Sequence, residues 1–110
     1  MTGVQTCALP ILDVEGMGSA NVDAFPASAT PSGCLQMIGT AWEWTSNQYL
    51  PYPGFEVDIY PYMSTLQFGD HKTTKGGSCA TSSCLIRSSY RQAYSPGRRD
   101  VFTGIRTCAK

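Results

Sequence analysis

The chain has 110 residues, 42% hydrophobic and 15% charged, with 11 Gly, 7 Pro, 2 Trp, 6 Tyr and 4 Phe. That is enough for one domain with a modest core and too little for several; the aromatics exclude a disordered tail, and the abundance of turn formers excludes long regular helices. The net charge of zero hides a split, because residues 1–71 carry seven acids and no Lys or Arg while residues 72–110 carry all eight basic residues and one acid, Asp100, so the two halves are expected to pack together and neutralise each other rather than to bind nucleic acid.

The start, TGVQTCALPI over residues 2–11, looks like a translated sequencing adapter. Residues 1–12 are therefore expected to be a disordered lead-in, and the domain to occupy residues 13–110. This stretch lacks the basic residues and apolar run of a secretory signal, and nothing in the chain approaches the roughly 18 apolar residues of a membrane helix. A soluble, cytoplasmic protein follows. The five cysteines, Cys7, Cys34, Cys79, Cys84 and Cys108, show neither zinc spacing nor a secreted framework, and are expected to be reduced and mostly buried.

Residues 13–33 read as a loop lying across the surface, broken by Pro26 and Pro31. The run CLQMIG at 34–39 predicts one helical turn or a strand entry. Ala41-Trp42-Glu43-Trp44-Thr45 alternates as a strand does, with both indoles on one side and Glu43 on the other. Residues 49–62, YLPYPGFEVDIYPY, hold four tyrosines and three prolines and predict a rigid aromatic loop. A turn at Gly69-Asp70 leads to Gly76-Gly77, where paired glycines predict close backbone approach or a bulge. Residues 85–94 fit a strand or a short helix, Pro96-Gly97 a turn, and residues 100–108 a closing strand with Val101, Thr103, Ile105 and Thr107 on one side. Ion pairs are expected between Arg87, Arg91, Arg98, Arg99 or Arg106 and acids such as Asp58, Glu43 or Asp100.

Chemistry-bearing constellations are sparse. His71 is the one histidine; Asp70 and Ser78 lie too near it in sequence for triad geometry. Glu56, Asp58 and Asp70 are not distinguishable from solvated loop acids, and Gly76-Gly77-Ser78 lacks the phosphate-wrapping pattern.

The sequence GTAWEWT at 39–45, Lys75-Gly76-Gly77-Ser78 and Gly104-Ile105-Arg106 resemble the GNVWEWT, RGGS and GFR landmarks of the formylglycine-generating, or sulfatase-modifying-factor, domain family. Order and separations agree. The resemblance implies an α+β, C-type-lectin-like fold with short strands and much irregular structure. Within the family, residues 51–55, Ser88-Ser89-Tyr90-Arg91 and residues 96–102 resemble the ergothioneine- and ovothiol-type sulfoxide synthases.

That branch implies a non-haem iron(II) enzyme using O2 to join a small-molecule thiol to a histidine-derived imidazole, with a C–S bond and a sulfoxide as product. Its iron ligands come mainly from an N-terminal DinB-like domain, so this chain, with one histidine, is expected to hold no metal site of its own and to be inactive alone. By position, Tyr60 resembles the family's proton-handling tyrosine; a phenol keeps its proton at neutral pH. Gln92, Ala93 and Tyr94 fall where the family places substrate contacts. Thr40, Lys75, Cys79, Ala93 and Ile105 depart from the common Asn, Arg, Trp, aromatic and Phe. Two other readings fit the same resemblance: a formylglycine generator using Cys79 and Cys84 on copper, though one place out of register, and a lectin-like binding module displaying the aromatic loop.

Overall fold

The computed structural model describes residues 11–109. Most of the adapter-like run, and Cys7 with it, lie outside the described residues. The packed unit takes in Ile11 and Leu12, ahead of the boundary expected at Asp13: Leu12 is buried, and the Ile11 carbonyl accepts from Thr40 N at 2.9 Å.

A four-stranded mixed sheet organises the chain, with β1 (Trp42–Gln48), β2 (Lys72–Lys75), β3 (Gln92–Tyr94) and β4 (Thr103–Gly104) in the order β3-β2-β1-β4. The β1–β2 and β2–β3 pairs are antiparallel, and β1–β4 is parallel. One five-residue helix, α1 (Pro61–Thr65), and 3-10 turns at Pro26–Ser28 and Ser83–Leu85 are the helical content of the described residues. Proline opens α1 at its first position, where its missing N–H costs no helical bond. Few helices and one mixed sheet suit a chain this rich in glycine and proline.

The strand predicted around the two tryptophans is β1. Directly opposed residues share a sheet face, so the registers Trp44↔Thr74, Thr74↔Gln92 and Lys72↔Tyr94 put Trp42, Trp44, Thr74, Gln92 and Tyr94 on one face. Trp42 lies against Tyr90, with ring centroids 5.6 Å apart, and against Tyr94 at 6.3 Å; Trp44 meets Tyr94 at 6.5 Å. Edge-to-face contacts of this kind add to the area they bury. Trp42, Tyr94, Ala93, Leu12 and Cys79 form the buried apolar core, and the fully buried Thr74 donates its hydroxyl to the Gln92 carbonyl at 3.1 Å.

The paired glycines perform the predicted close approach. A Cβ on Gly76 would meet the Met37 carbonyl oxygen at 2.8 Å, and one on Gly77 would meet Ile86 Cδ1 at 2.9 Å. The Gly76 carbonyl accepts from Gly39 N at 2.8 Å, Cys79 N donates to the Thr40 carbonyl at 3.0 Å, and Val14 N to the Cys79 carbonyl at 2.9 Å. The segment after β2 is thus stitched to the residues that enter β1.

Several expectations need correction. CLQMIG forms neither helix nor strand, because Gln36 and Gly39 adopt left-handed backbone (φ 56° and 83°), which breaks both. The closing strand shrinks to two residues: Ile105 is 78% exposed, so the alternation there has no core to face. Cysteines are not mostly buried; Cys79 is, but Cys34 is half-buried and Cys84 and Cys108 are exposed, all four unpaired. Residues 85–94 are mixed, with the end of a 3-10 turn at one end and β3 at the other.

Thr40 offers a direct test of local strain. A β-branched residue in the left-handed region is an outlier, whereas asparagine tolerates it, and asparagine is the residue the family pattern leads one to expect there. The main-chain bonds of residue 40 survive substitution, and the side chain contributes only a 3.3 Å bond to Gln36 Oε1. Thr40→Asn is expected to stabilise by about 0.5–1 kcal/mol, read as a rise of about 3–6 °C in Tm. A lower Tm would show that Thr40 carries no strain.

Candidate functional site

Strand alternation sorts the predicted contact residues. Gln92 and Tyr94 project from the tryptophan face, while Ala93, opposite Thr73 in the register, belongs to the other face and is almost wholly buried. The structure therefore brings Gln92 and Tyr94 together and sets Ala93 behind them. Burial raises the Tyr94 phenol above its ordinary pKa, against the opposing pull of the neighbouring Gln92 side chain and the Arg98 charge. The Arg98 guanidinium stands 5.3 Å from the Tyr94 ring centroid.

Tyr60 lies immediately before α1 and is 68% exposed. Among the described residues no hydrogen bond joins it to Gln92 or Tyr94, and neither cavity described below includes any of the three. Its neighbours are exposed too: Val57, Ile59 and Tyr62 present their side chains to solvent. Asp58 pairs with no arginine and instead accepts from Ile59 N at 2.7 Å.

What ties this aromatic segment to β3 is Arg91. Its guanidinium carbon stands 4.4 Å from the ring centroid of Tyr49 and 4.0 Å from that of Tyr52, and Nη2 donates to the Leu50 carbonyl at 2.7 Å. Tyr49 stacks on Phe68 with centroids 5.3 Å apart, and Phe68 meets Phe55 edge-on at 5.4 Å. Charge counting predicted an acid for Arg91, and the ring faces take that place.

Lys75 anchors the stretch leading into β3. Its ammonium donates to the Ser88 carbonyl at 2.7 Å and the Tyr90 carbonyl at 2.8 Å. Desolvation, then the neighbouring Arg91 charge, lower its pKa from the usual lysine value. These bonds set where Tyr90 meets Trp42. A cavity of about 150 Å³ beside it is lined by Met37, Ile38, Ile86 and Tyr90 among others.

On the Glu43 side of the sheet, Arg106 grips Glu43 through two bonds, Nε to Oε2 at 3.1 Å and Nη2 to Oε1 at 2.6 Å, while Nη2 also donates to the Leu35 carbonyl at 2.8 Å. This pair, which joins the acidic and basic halves as expected, lies on the wall of an open cavity of about 380 Å³ lined also by Val22, Gln36, Thr40 and Ile105. The second ion pair, Arg98 to Asp100 at 2.6 Å, lies within the basic half.

Among the described residues no three of His, Cys, Asp and Glu come together. The His71 ring is partly buried, and its Nδ1 has no hydrogen-bond partner among them. Cys79 is wholly buried, whereas Cys84 is exposed with Sγ 3.1 Å from Ser82 Oγ. No helix of the described residues is long and apolar enough to cross a membrane.

Comparison with known proteins gives this geometry a setting. Hercynine oxygenases from Mycolicibacterium thermoresistibile and Mycolicibacterium smegmatis are 39% and 40% identical over 106 residues, which is 92% of this chain and 24% and 25% of those proteins. The formylglycine-generating enzyme of Bos taurus is 34% identical over 95 residues, covering 84% of this chain and 24% of that protein. The chain thus spans about a quarter of the length of the curated relatives it matches. The sulfatase-modifying factor enzyme 1-like domain matches residues 10–110, taking in the tryptophan strand, the glycine approach and the Arg106 grip alike, and the chain belongs to that family.

Proposed function

We propose that this chain is the C-terminal part of an iron-dependent oxygenase acting on hercynine, the trimethylated betaine of histidine, and that the complete protein joins a thiol to its imidazole as a sulfoxide. The observation that carries this reading is identity of about 40% with hercynine oxygenases across 92% of the chain.

The described residues do not fit an iron site, so in this reading the metal ligands belong to a DinB-like N-terminal domain and no step is assigned to the metal here. The chain's own contribution is to shape the substrate cavity. Tyr60 holds a proton at Oη on an exposed segment and, when that segment faces the site, gives it to the oxygen that leaves as water, while the thiol and the imidazole carbon each lose a proton as the C–S bond forms. Gln92 offers both a donor and acceptors to an imidazole, and Tyr94 beside it supplies a largely desolvated wall. Ala93, opposite Thr73, backs the strand from its other face. The exposure of Ile59, Tyr60 and Tyr62 supports a segment that packs on another surface in the complete protein. Cytoplasmic location belongs to this reading.

The formylglycine-generating reading is supported by the 34% identity with the bovine enzyme. A copper-binding thiol pair needs two accessible, ionisable cysteines. The burial of Cys79 beside the exposure of Cys84 favours the oxygenase instead.

The test is a chimera in which residues 11–109 replace the matching quarter of the M. smegmatis hercynine oxygenase, assayed for sulfoxide from hercynine and a thiol. Turnover is expected, and Tyr60→Phe is expected to lower it by about 10²-fold or more. A folded, iron-loaded chimera that makes no sulfoxide, or one indifferent to Tyr60→Phe, would overturn the assignment.

A further inference from the structure

Arg91 is an arginine in an unusual place. Its side chain is half-buried beside β3, and among the described residues its guanidinium pairs with no carboxylate. In place of a carboxylate, the structure gives the guanidinium two tyrosine faces at 4.4 and 4.0 Å and one backbone carbonyl at 2.7 Å. A guanidinium is suited to this arrangement because it is planar, weakly hydrated and stacks on rings while still donating in its plane. All three partners belong to residues 49–52, the root of the aromatic segment, and Tyr49 carries the contact onward to Phe68 and Phe55. Arg91 itself adjoins Gln92 at the start of β3.

From this geometry we infer that Arg91 is a positioning residue: its guanidinium, held between Tyr49 and Tyr52, sets the aromatic segment bearing Tyr60 against the strand bearing Gln92 and Tyr94. The inference rests on the proposed reading that Tyr60 and Gln92 serve one site, but the contact itself is independent of iron and substrate. Lysine cannot replace it. An ammonium keeps the charge yet has no flat face to stack between two rings while donating edge-on to a carbonyl.

The experiment uses the 110-residue chain without metal. Amide exchange is read at Tyr49, which donates to the His71 carbonyl at 2.8 Å, and at Phe55, which donates to the Tyr52 carbonyl at 3.0 Å, with Trp42 and Thr74 as sheet references. Arg91→Lys is expected to accelerate exchange at Tyr49 and Phe55 about tenfold and to leave the sheet references within twofold. Tyr52→Leu should do the same, and the double variant no more than either single. In chain labelled with fluorotyrosine, the Tyr60 resonance, assigned by its loss in Tyr60→Phe, should move in Arg91→Lys. Loop exchange at the wild-type rate, equal acceleration of sheet and loop, additive losses in the double variant, or an unmoved Tyr60 resonance would each overturn the proposal. Failure of the chimera assay leaves all four readouts intact, so the two ideas fail separately.

Discussion

Trp42→Ala is expected to destabilise the chain by about 3–5 kcal/mol, the range for removing a buried aromatic from a core. The indole is 4% exposed, and it is the side chain on which Tyr90 and Tyr94 converge. Its loss removes two ring contacts as well as buried area, each worth about 0.5–1.5 kcal/mol beyond burial. Against a total stability of about 5–15 kcal/mol for a domain, that leaves a protein close to unfolding. Urea unfolding followed by far-ultraviolet circular dichroism checks it. Trp44→Ala serves as the comparison, since Trp44 is only half-buried and meets Tyr94 alone, and it should cost clearly less. A Trp42→Ala cost below about 1 kcal/mol would mean that the core lies elsewhere.

Gly76→Ala comes next in expected size, at about 2–4 kcal/mol. Two separate penalties combine there. The backbone has φ +98°, where a side chain is strained, and the new Cβ would lie 2.8 Å from the Met37 carbonyl oxygen, a main-chain atom that cannot rotate aside. Gly69→Ala isolates the first penalty, because its φ is +86° and nothing lies within 4 Å of its would-be Cβ; it should cost about 1–2 kcal/mol. Equal losses in the two variants, by equilibrium unfolding, would show that the approach to Met37 contributes nothing.

What the sequence disclosed follows from how local each signal is. Alternation around Trp42 and Trp44 is a period-two pattern contained in five residues, and β1 stands where it pointed. Gly76-Gly77 announces a backbone constraint without naming the partner, and the Met37 carbonyl emerges only in three dimensions. The Glu43–Arg106 pair was within reach of charge counting because both members are charged. Arg91 was not: the faces of Tyr49 and Tyr52 carry no formal charge, and the hint available was an arginine-rich half meeting a tyrosine-rich loop. β4 was over-read because alternation in residues 100–108 says nothing about whether a core exists to receive it. Of the candidate site, the placement on a strand is what the sequence makes legible: Gln92 and Tyr94 share a face as neighbours-but-one must, and the same rule puts Ala93 on the other.

The pairing of Trp42 with Thr103 joins residues about sixty positions apart, and β4 is the outermost strand beside β1. Closing so long a segment carries an entropic cost that grows only with the logarithm of its length, but topologies of this kind fold slowly. During synthesis β1, β2 and β3 can leave the ribosome and assemble first, whereas the flank of β1 stays open until Thr103 and Arg106 emerge. A chain broken off before Thr103 would leave that flank bare, and the product would be a substrate for chaperones and proteases rather than a slightly shorter version of the same domain.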